Sequence, residues 1–307
     1  MDRYADLLDS ALPSPTVAAA RGDRERVEAL TRVCVVDLLS AFGLGETRDC
    51  ALRRPLEVFA RVPARRLARQ AAVYDGIVGE GGLGAGGAWA MERMARRVEV
   101  EGVGNVPREG PLLLVANHPG LGDSLALFAT APRPDLRVIA AKRPFLDALP
   151  NTSRYLLTLD EASPGRLGIV RAAGRHLKRG GAVLMFPGGK IEPDPAVLPG
   201  AVEALGRWSG SVDLFARLVP GLRIVPAVVS GVISPAALRN PLTFLRRKRE
   251  DREWLAATLQ MLTPALRNVT TRVAFGEPVH AEGTSGEKVG RAVLQEARRL
   301  MGQCGPR

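Results

Sequence analysis

A chain of 307 residues with 46% hydrophobic and 24% charged residues has ordinary globular composition, which argues against a disordered or collagen-like chain and allows one or two domains. Three cysteines, Cys34, Cys50 and Cys304, show no CxxC spacing, which argues against a disulfide framework and a cysteine zinc site. Forty-three Lys and Arg against 32 Asp and Glu give a formal charge of +11, suited to a polyanion or simply to a solvated Arg-rich surface. Aromatics at 5% are few for holding single strands by base stacking, so anionic lipid is the preferred polyanion.

The first residues, Met1 to Asp6, are acidic early and carry no apolar signal region, and no apolar run reaches the ~18 residues that span a bilayer. A cytoplasmic protein, at most peripheral on the inner face of the membrane, is expected. Residues 1–90 read as a helical N-terminal segment. Val27, Leu30, Val33, Cys34 and Leu38 recur at helical spacing. A basic stretch from Leu56 to Val78 follows, in which Pro63 is expected to break or start a helix. The run Gly79 to Gly87 reads as a flexible linker.

From about residue 91 the pattern becomes that of a second domain, 91–307. Short apolar runs predict strands at Val98–Glu101, Leu112–Ala116, Arg137–Ala141, Tyr155–Leu159, Ala182–Phe186, Ile224–Val229 and Arg272–Phe275. Helical patterns fall at 165–179, 195–218, 251–267 and 285–301. Alternation of this kind predicts an α/β domain with a mixed, largely parallel sheet flanked by helices.

Three stretches carry chemistry. Asn117-His118-Pro119-Gly120-Leu121-Gly122-Asp123 follows a buried-looking strand, where α/β folds expose residues to ligands. A carboxylate beside an imidazole fixes its tautomer and stabilises its protonated form, so His118 with Asp123 suits proton transfer from a hydroxyl. Asp123 also suits the N-cap of the next helix. Phe186-Pro187-Gly188-Gly189-Lys190 again runs from a strand into a glycine turn whose N–H groups suit an anion, with Lys190 adding charge. In Ile224–Val229 a proline, Pro226, breaks an apolar strand, which implies an edge or a cavity wall. His176, in a basic helix, reads as a solvated residue, and His280 has no evident partner, so a histidine metal site is not expected.

In this order the stretches resemble the glycerolipid acyltransferase family, whose best-known members make phosphatidic acid from lysophosphatidic acid. The first motif, NHxxxxD, matches Asn117–Asp123. The third, usually FPEGTRS, begins at Phe186 and extends to Glu192, the second begins near Lys142 and Arg143, and the fourth falls on Ile224–Val229. The resemblance implies an O-acyltransferase moving a fatty acyl group from acyl-CoA or acyl carrier protein to a hydroxyl, with neither metal nor redox cofactor. His118 and Asp123 would be catalytic, and Asn117, Lys142, Arg143, Gly188, Gly189, Lys190 and Pro226 would contact substrates. The chain departs from the motif where Gly188 replaces the usual Glu, Lys190 the Thr and Ile191 the Arg. The second motif reaches Asp160 where an Arg is usual. Arg is the natural bidentate reader of phosphate, so these losses favour a neutral alcohol as acceptor, with Lys190 or Arg143 able to substitute as point charges, and Asp160 or Glu192 would repel a phosphate if either faced the site. Two alternatives stand beside this reading: a thioester hydrolase, and a non-catalytic peripheral membrane protein of the same fold. Phe244 to Arg249, with the basic stretch after Leu56, would meet an anionic membrane surface. No nucleic-acid-binding module is recognised.

Overall fold

A computed structural model describes residues 19–45, 50–159, 166–280 and 286–304. Asp160 and the first six residues lie outside the described residues. The longer helices are α1 (Ala19–Ala41), α2 (Cys50–Met94), α3 (Leu121–Thr130), α4 (Arg166–Lys178), α5 (Ser211–Leu218), α6 (Arg249–Leu262) and α7 (Gly286–Gln303). The strands are β1 (Arg97–Glu101), β2 (Leu112–Ala116), β3 (Leu136–Ala141), β4 (Leu156–Leu159), β5 (Ala182–Met185), β6 (Arg223–Ser230), β7 (Thr270–Phe275) and β8 (Val279–His280).

The strands form one sheet in the order β1-β7-β6-β2-β5-β3-β4, with β8 also pairing β6. All pairs are parallel except β6 with β7 and β6 with β8. β2 lies between β5 and β6 and is buried along its whole length. That position explains why it reads Leu-Leu-Leu-Val-Ala instead of alternating with polar residues. Leu112, Leu114 and Ala116 face a core shared with α2 and α3, and Leu113 and Val115 face α4, α5 and α7. The result is a helix-sheet-helix sandwich whose two apolar layers hold β2 in place from both faces.

Four sequence expectations change. The run Gly79–Gly87 is not a linker but part of α2, which changes direction at Gly82 (φ 76°, ψ −178°). Its glycines admit neighbouring backbone: a Cβ at Gly87 would lie 2.6 Å from the Leu125 carbonyl and 2.7 Å from the Ala129 nitrogen of α3. Nor does Pro63 end a helix, since α2 contains both Pro55 and Pro63. The single helix expected at 195–218 is a short turn at Ala201–Ala204, a 3-10 turn at Leu205–Arg207, and α5; Gly206 and Gly210 weaken helix across the break, where Trp208 lies.

Pro226 is the fourth. Its strand is neither an edge nor bent at a cavity, because β6 lies inside the sheet between β2 and its antiparallel partners. β8 pairs with Arg223 and Ile224, whereas β7 pairs with Ala227 to Ser230, so Pro226 falls at the junction. Its carbonyl accepts from Gly276 N–H at 2.8 Å. The N and C=O of one residue face the same side of a strand, so the missing N–H is directed at the gap between β8 and β7, where no ladder bond is lost.

The N-terminal helices are tied into the sheet. Tyr74, Val78, Leu83 and Met91 of α2 belong to the same core as β2. The buried Asp75 carboxylate accepts from Thr152 N–H (2.8 Å), Thr152 Oγ1 (2.9 Å) and Asn151 N–H (3.3 Å), and lies 3.6 Å from Arg26. A fully buried carboxylate demands such partners.

Candidate active site

The loop after β2 is built to hold one imidazole. Asn117 is completely buried, and its side-chain amide pairs with one residue of β6: Nδ2 donates to the Val229 carbonyl (2.9 Å) and Oδ1 accepts from Val229 N–H (2.7 Å). Both polar ends bond backbone, so Asn117 ties the loop to the sheet. His118 comes next, with 29% of its side chain exposed. Its Nδ1 lies 2.8 Å from Asp123 Oδ2, which also accepts from Gly120 N–H at 2.9 Å. Asp123 Oδ1 accepts from Ser124 Oγ at 3.0 Å and from Ser124 N–H. Asp123 sits in the first turn of α3 rather than at its N-cap, and from there it organises its own loop and the histidine together.

The other wall comes from the segment after β5. The Phe186 ring stacks on His118 with centroids 4.6 Å apart. Glu192 is 3% exposed and grips the His118 backbone on both sides of its Cα: its N–H donates to the His118 carbonyl (2.8 Å), and its Oε2 accepts from His118 N–H (3.0 Å). Its Oε1 accepts from Trp208 Nε1 at 2.8 Å. Burial alone lowers the His118 pKa, but the charge and hydrogen bond of Asp123, with the charge of Glu192, outweigh it and raise the pKa above the ordinary imidazole value. Burial pushes the Glu192 carboxyl up against the bonds from His118 N–H and Trp208 and the nearby charges of His118 and Arg207.

A family model for acyltransferases matches residues 97–230, the span from β1 to the end of β6 that carries all of these groups. Residues 97–230 are thus similar to an acyltransferase domain. Among solved structures, the 1-acyl-sn-glycerophosphate (LPA) acyltransferase PlsC from Thermotoga maritima is similar to this chain at 17% identity, with a TM-score of 0.44, over 93% of this chain and 96% of that one. No curated protein matches the chain in sequence.

The remaining expected residues divide. Gly188, Gly189 and Lys190 follow β5 beside Glu192, with Lys190 exposed and Gly189 in the left-handed region at φ 65°. Lys142 and Arg143 are exposed after β3, and Arg143 acts electrostatically on Asp37 of α1. Pro226 is enclosed in the sheet. His176 is not a solvated residue: it is half-buried, and its Nε2 lies 2.9 Å from the Asp135 carbonyl. His280 is exposed on β8.

Sequence reasoning missed two carboxylates. Glu192 was read as a possible repellent of phosphate, yet it is buried against His118. Asp194 is buried and accepts from the N–H groups of Ala196, Gly231, Val232 and Ile233, pinning the turn after β6. The available signal was Gly188, where the motif usually has an acid four residues before Glu192.

A cavity of about 110 Å³ lies behind the His118 loop, lined by Pro119, Gly120, Met94, Val232, Ile233 and Met261 among others. A larger one, about 320 Å³, lies at the amino ends of β3 and β4 around Asp135, Arg137, Arg154 and His176. That is the opposite end of the sheet from His118, so size does not mark the chemical site here.

Proposed function

We propose that this protein transfers a fatty acyl group from a thioester, acyl-CoA or acyl carrier protein, to a hydroxyl of a lipid or other alcohol, with His118 as general base. The observation that carries this reading is the 2.8 Å contact of His118 Nδ1 with Asp123 inside the family's first motif. Asp123 accepts the Nδ1 proton, so Nε2 presents its lone pair. The acceptor hydroxyl gives its proton to Nε2 as its oxygen bonds to the thioester carbonyl carbon. The tetrahedral intermediate then expels the sulfur, which takes the proton back from the imidazolium as thiol. Charge rises on the ring midway, where Asp123 and Glu192 stabilise it. The step changes no oxidation state, so it asks for no redox cofactor.

The acceptor is proposed to be neutral. Ile191 stands exposed where the family usually has an Arg, which leaves Lys190, a point charge without a planar fork, as the nearest cation in that loop. The apolar cavity behind the loop suits part of an acyl chain. Peripheral binding at the inner face of an anionic membrane is supported by apolar side chains exposed among cations. Val58, Phe59 and Val62, with Phe59 79% exposed, flank Arg61 and precede Arg65, while Phe244 and Leu245 precede Arg247 and Lys248. Among the described residues no helix is long and apolar enough to cross a membrane.

The test is acyl transfer from radiolabelled acyl-CoA to a mixed pool of lipid and simple alcohols, with ester and free fatty acid separated. Ester formation lost at least ~10²-fold in His118→Ala supports the proposal, since that is the low end of general-base contributions. Free acid as the sole product would instead make the protein a hydrolase. Activity above about half of wild type in His118→Ala removes the base.

A further inference from the structure

Glu192 is a buried carboxylate that takes no direct part in the proton transfers. Three of its polar atoms are engaged: its N–H and Oε2 hold the backbone carbonyl and N–H of His118, and Oε1 is held by Trp208. Both carboxylate oxygens accept from N–H donors, which favours the ionised form against the upward push of burial. The space it fills belongs to position 188. A Cβ on Gly188 would collide with Glu192 Oε1 and lie 3.0 Å from its Cδ. Gly188 is not in the left-handed region, so its backbone does not call for glycine. The carboxylate does.

We infer that Glu192 is a positioning residue for His118, fixing the peptide that carries the imidazole and keeping a negative charge beside the ring, and that Gly188 is small in order to admit it. This rests on His118 being the base. The family's usual motif has an acid at position 188, and here the residue able to enter that space comes from position 192. The charged groups around the imidazole are then Asp123 from α3 and Glu192 from the segment after β5, with Arg207 acting on Glu192. Removing Glu192's charge leaves burial less opposed, so the imidazole loses its proton more readily.

The experiment measures kcat, the acyl-CoA KM and the pH dependence of kcat/KM on the full chain, with folding checked by circular dichroism. The variants are Glu192→Gln, Gly188→Ala, the double variant and His118→Ala. Glutamine keeps the shape but has one oxygen for two N–H donors. In Glu192→Gln we expect kcat to fall at least ~10-fold with KM within ~2-fold, as misplacement of a reacting group does. The acid limb should also move to lower pH, which a purely structural loss would not produce. Gly188→Ala keeps the charge and displaces the carboxylate, so kcat should fall with the limb moving less. The two changes break one contact, so the double variant should be within ~2-fold of the weaker single. An unmoved acid limb with kcat within ~2-fold of wild type in Glu192→Gln overturns the inference, as does a double variant whose losses multiply. If Glu192→Gln does not fold, Gly188→Ala decides: wild-type kcat there overturns the inference, and a reduced kcat supports it. His118→Ala separates the two readings. If it is active, the base assignment itself has failed; if it is inactive while Glu192→Gln behaves as wild type, only the role of Glu192 has failed.

Discussion

Asp123→Asn isolates the electrostatic part of the proposed chemistry. Asparagine keeps the shape of the side chain but removes its charge and one of its two acceptor oxygens. The two oxygens of Asp123 serve different partners: Oδ2 takes His118 Nδ1 and Gly120 N–H, and Oδ1 takes the Ser124 N–H and hydroxyl. With the Asn oxygen facing His118 and Gly120, its NH2 faces Ser124, whose hydroxyl can rotate to accept while its N–H loses its acceptor. That orientation preserves the imidazole tautomer, so the loss felt by the reaction is mainly the charge-assisted bond to the imidazolium. At ~1.5–3 kcal/mol for a bond to a charged group, and 1.36 kcal/mol per decade of rate, kcat/KM should fall by ~10- to ~150-fold.

The pH profile supplies an independent sign. The His118 pKa stands above the ordinary value of 6.5, and the base form is lost as pH falls through it. Wild-type activity should therefore decline on an acid limb lying above that ordinary value. Without the Asp123 charge, burial acts with less opposition and the limb moves to lower pH while the plateau drops. Steady-state kinetics from pH 5 to 9, alongside circular dichroism of the variant, measure both. A plateau within ~3-fold of wild type with an unmoved limb would mean that no imidazolium forms in the rate-limiting step, and the proposed mechanism fails.

Asn117→Ala strands the N–H and carbonyl of Val229 inside the sheet, and at ~1–3 kcal/mol for each buried unsatisfied group it should lower unfolding stability by ~2–6 kcal/mol in urea melts. Less than ~1 kcal/mol would return Asn117 to a role at the substrate. The protein should sediment with anionic liposomes at low salt and be released as salt rises, whereas equal binding to neutral liposomes counts against the exposed cations. In competition for one acyl-CoA, an uncharged monoacylglycerol should be acylated in preference to lysophosphatidic acid. A strong preference for lysophosphatidic acid, abolished by Lys190→Ala, would show that this lysine reads the phosphate.

Most of the sheet was legible because its interior strands have no polar face. β2 and β5 are short apolar runs bounded by turns, and their ends are close to those read from hydropathy. His118 and Asp123 were legible as a pair because the motif keeps them within one loop. Interactions between distant parts of the chain were hidden. Asn117 meets Val229 across 112 residues, and its amide closes on backbone. β8 is two residues long, too short for any periodicity, yet it explains how Pro226 sits inside a sheet. Trp208 interrupts an expected helix at the point where its indole reaches Glu192.

The two glycine stretches share one physical lesson. Gly79–Gly87 suggested flexibility and Gly188–Gly189 an anion-binding turn, readings that treat glycine as backbone freedom. Only some of these residues use that freedom: Gly82 and Gly189 have positive φ. Gly87 and Gly188 do not, and each is small because another group occupies the space of a side chain, the backbone of α3 in one case and the Glu192 carboxylate in the other. In both, the glycine records a neighbour distant enough in sequence, or displaced enough in a motif, to escape local pattern. This changes what the altered third motif says about substrate. Gly188 reads as the space through which a carboxylate reaches the base, not as a lost acid, so it has no bearing on phosphate. The case for a neutral acceptor therefore rests on the exposed Ile191, where an arginine is usual, and on how little Lys190 can do alone.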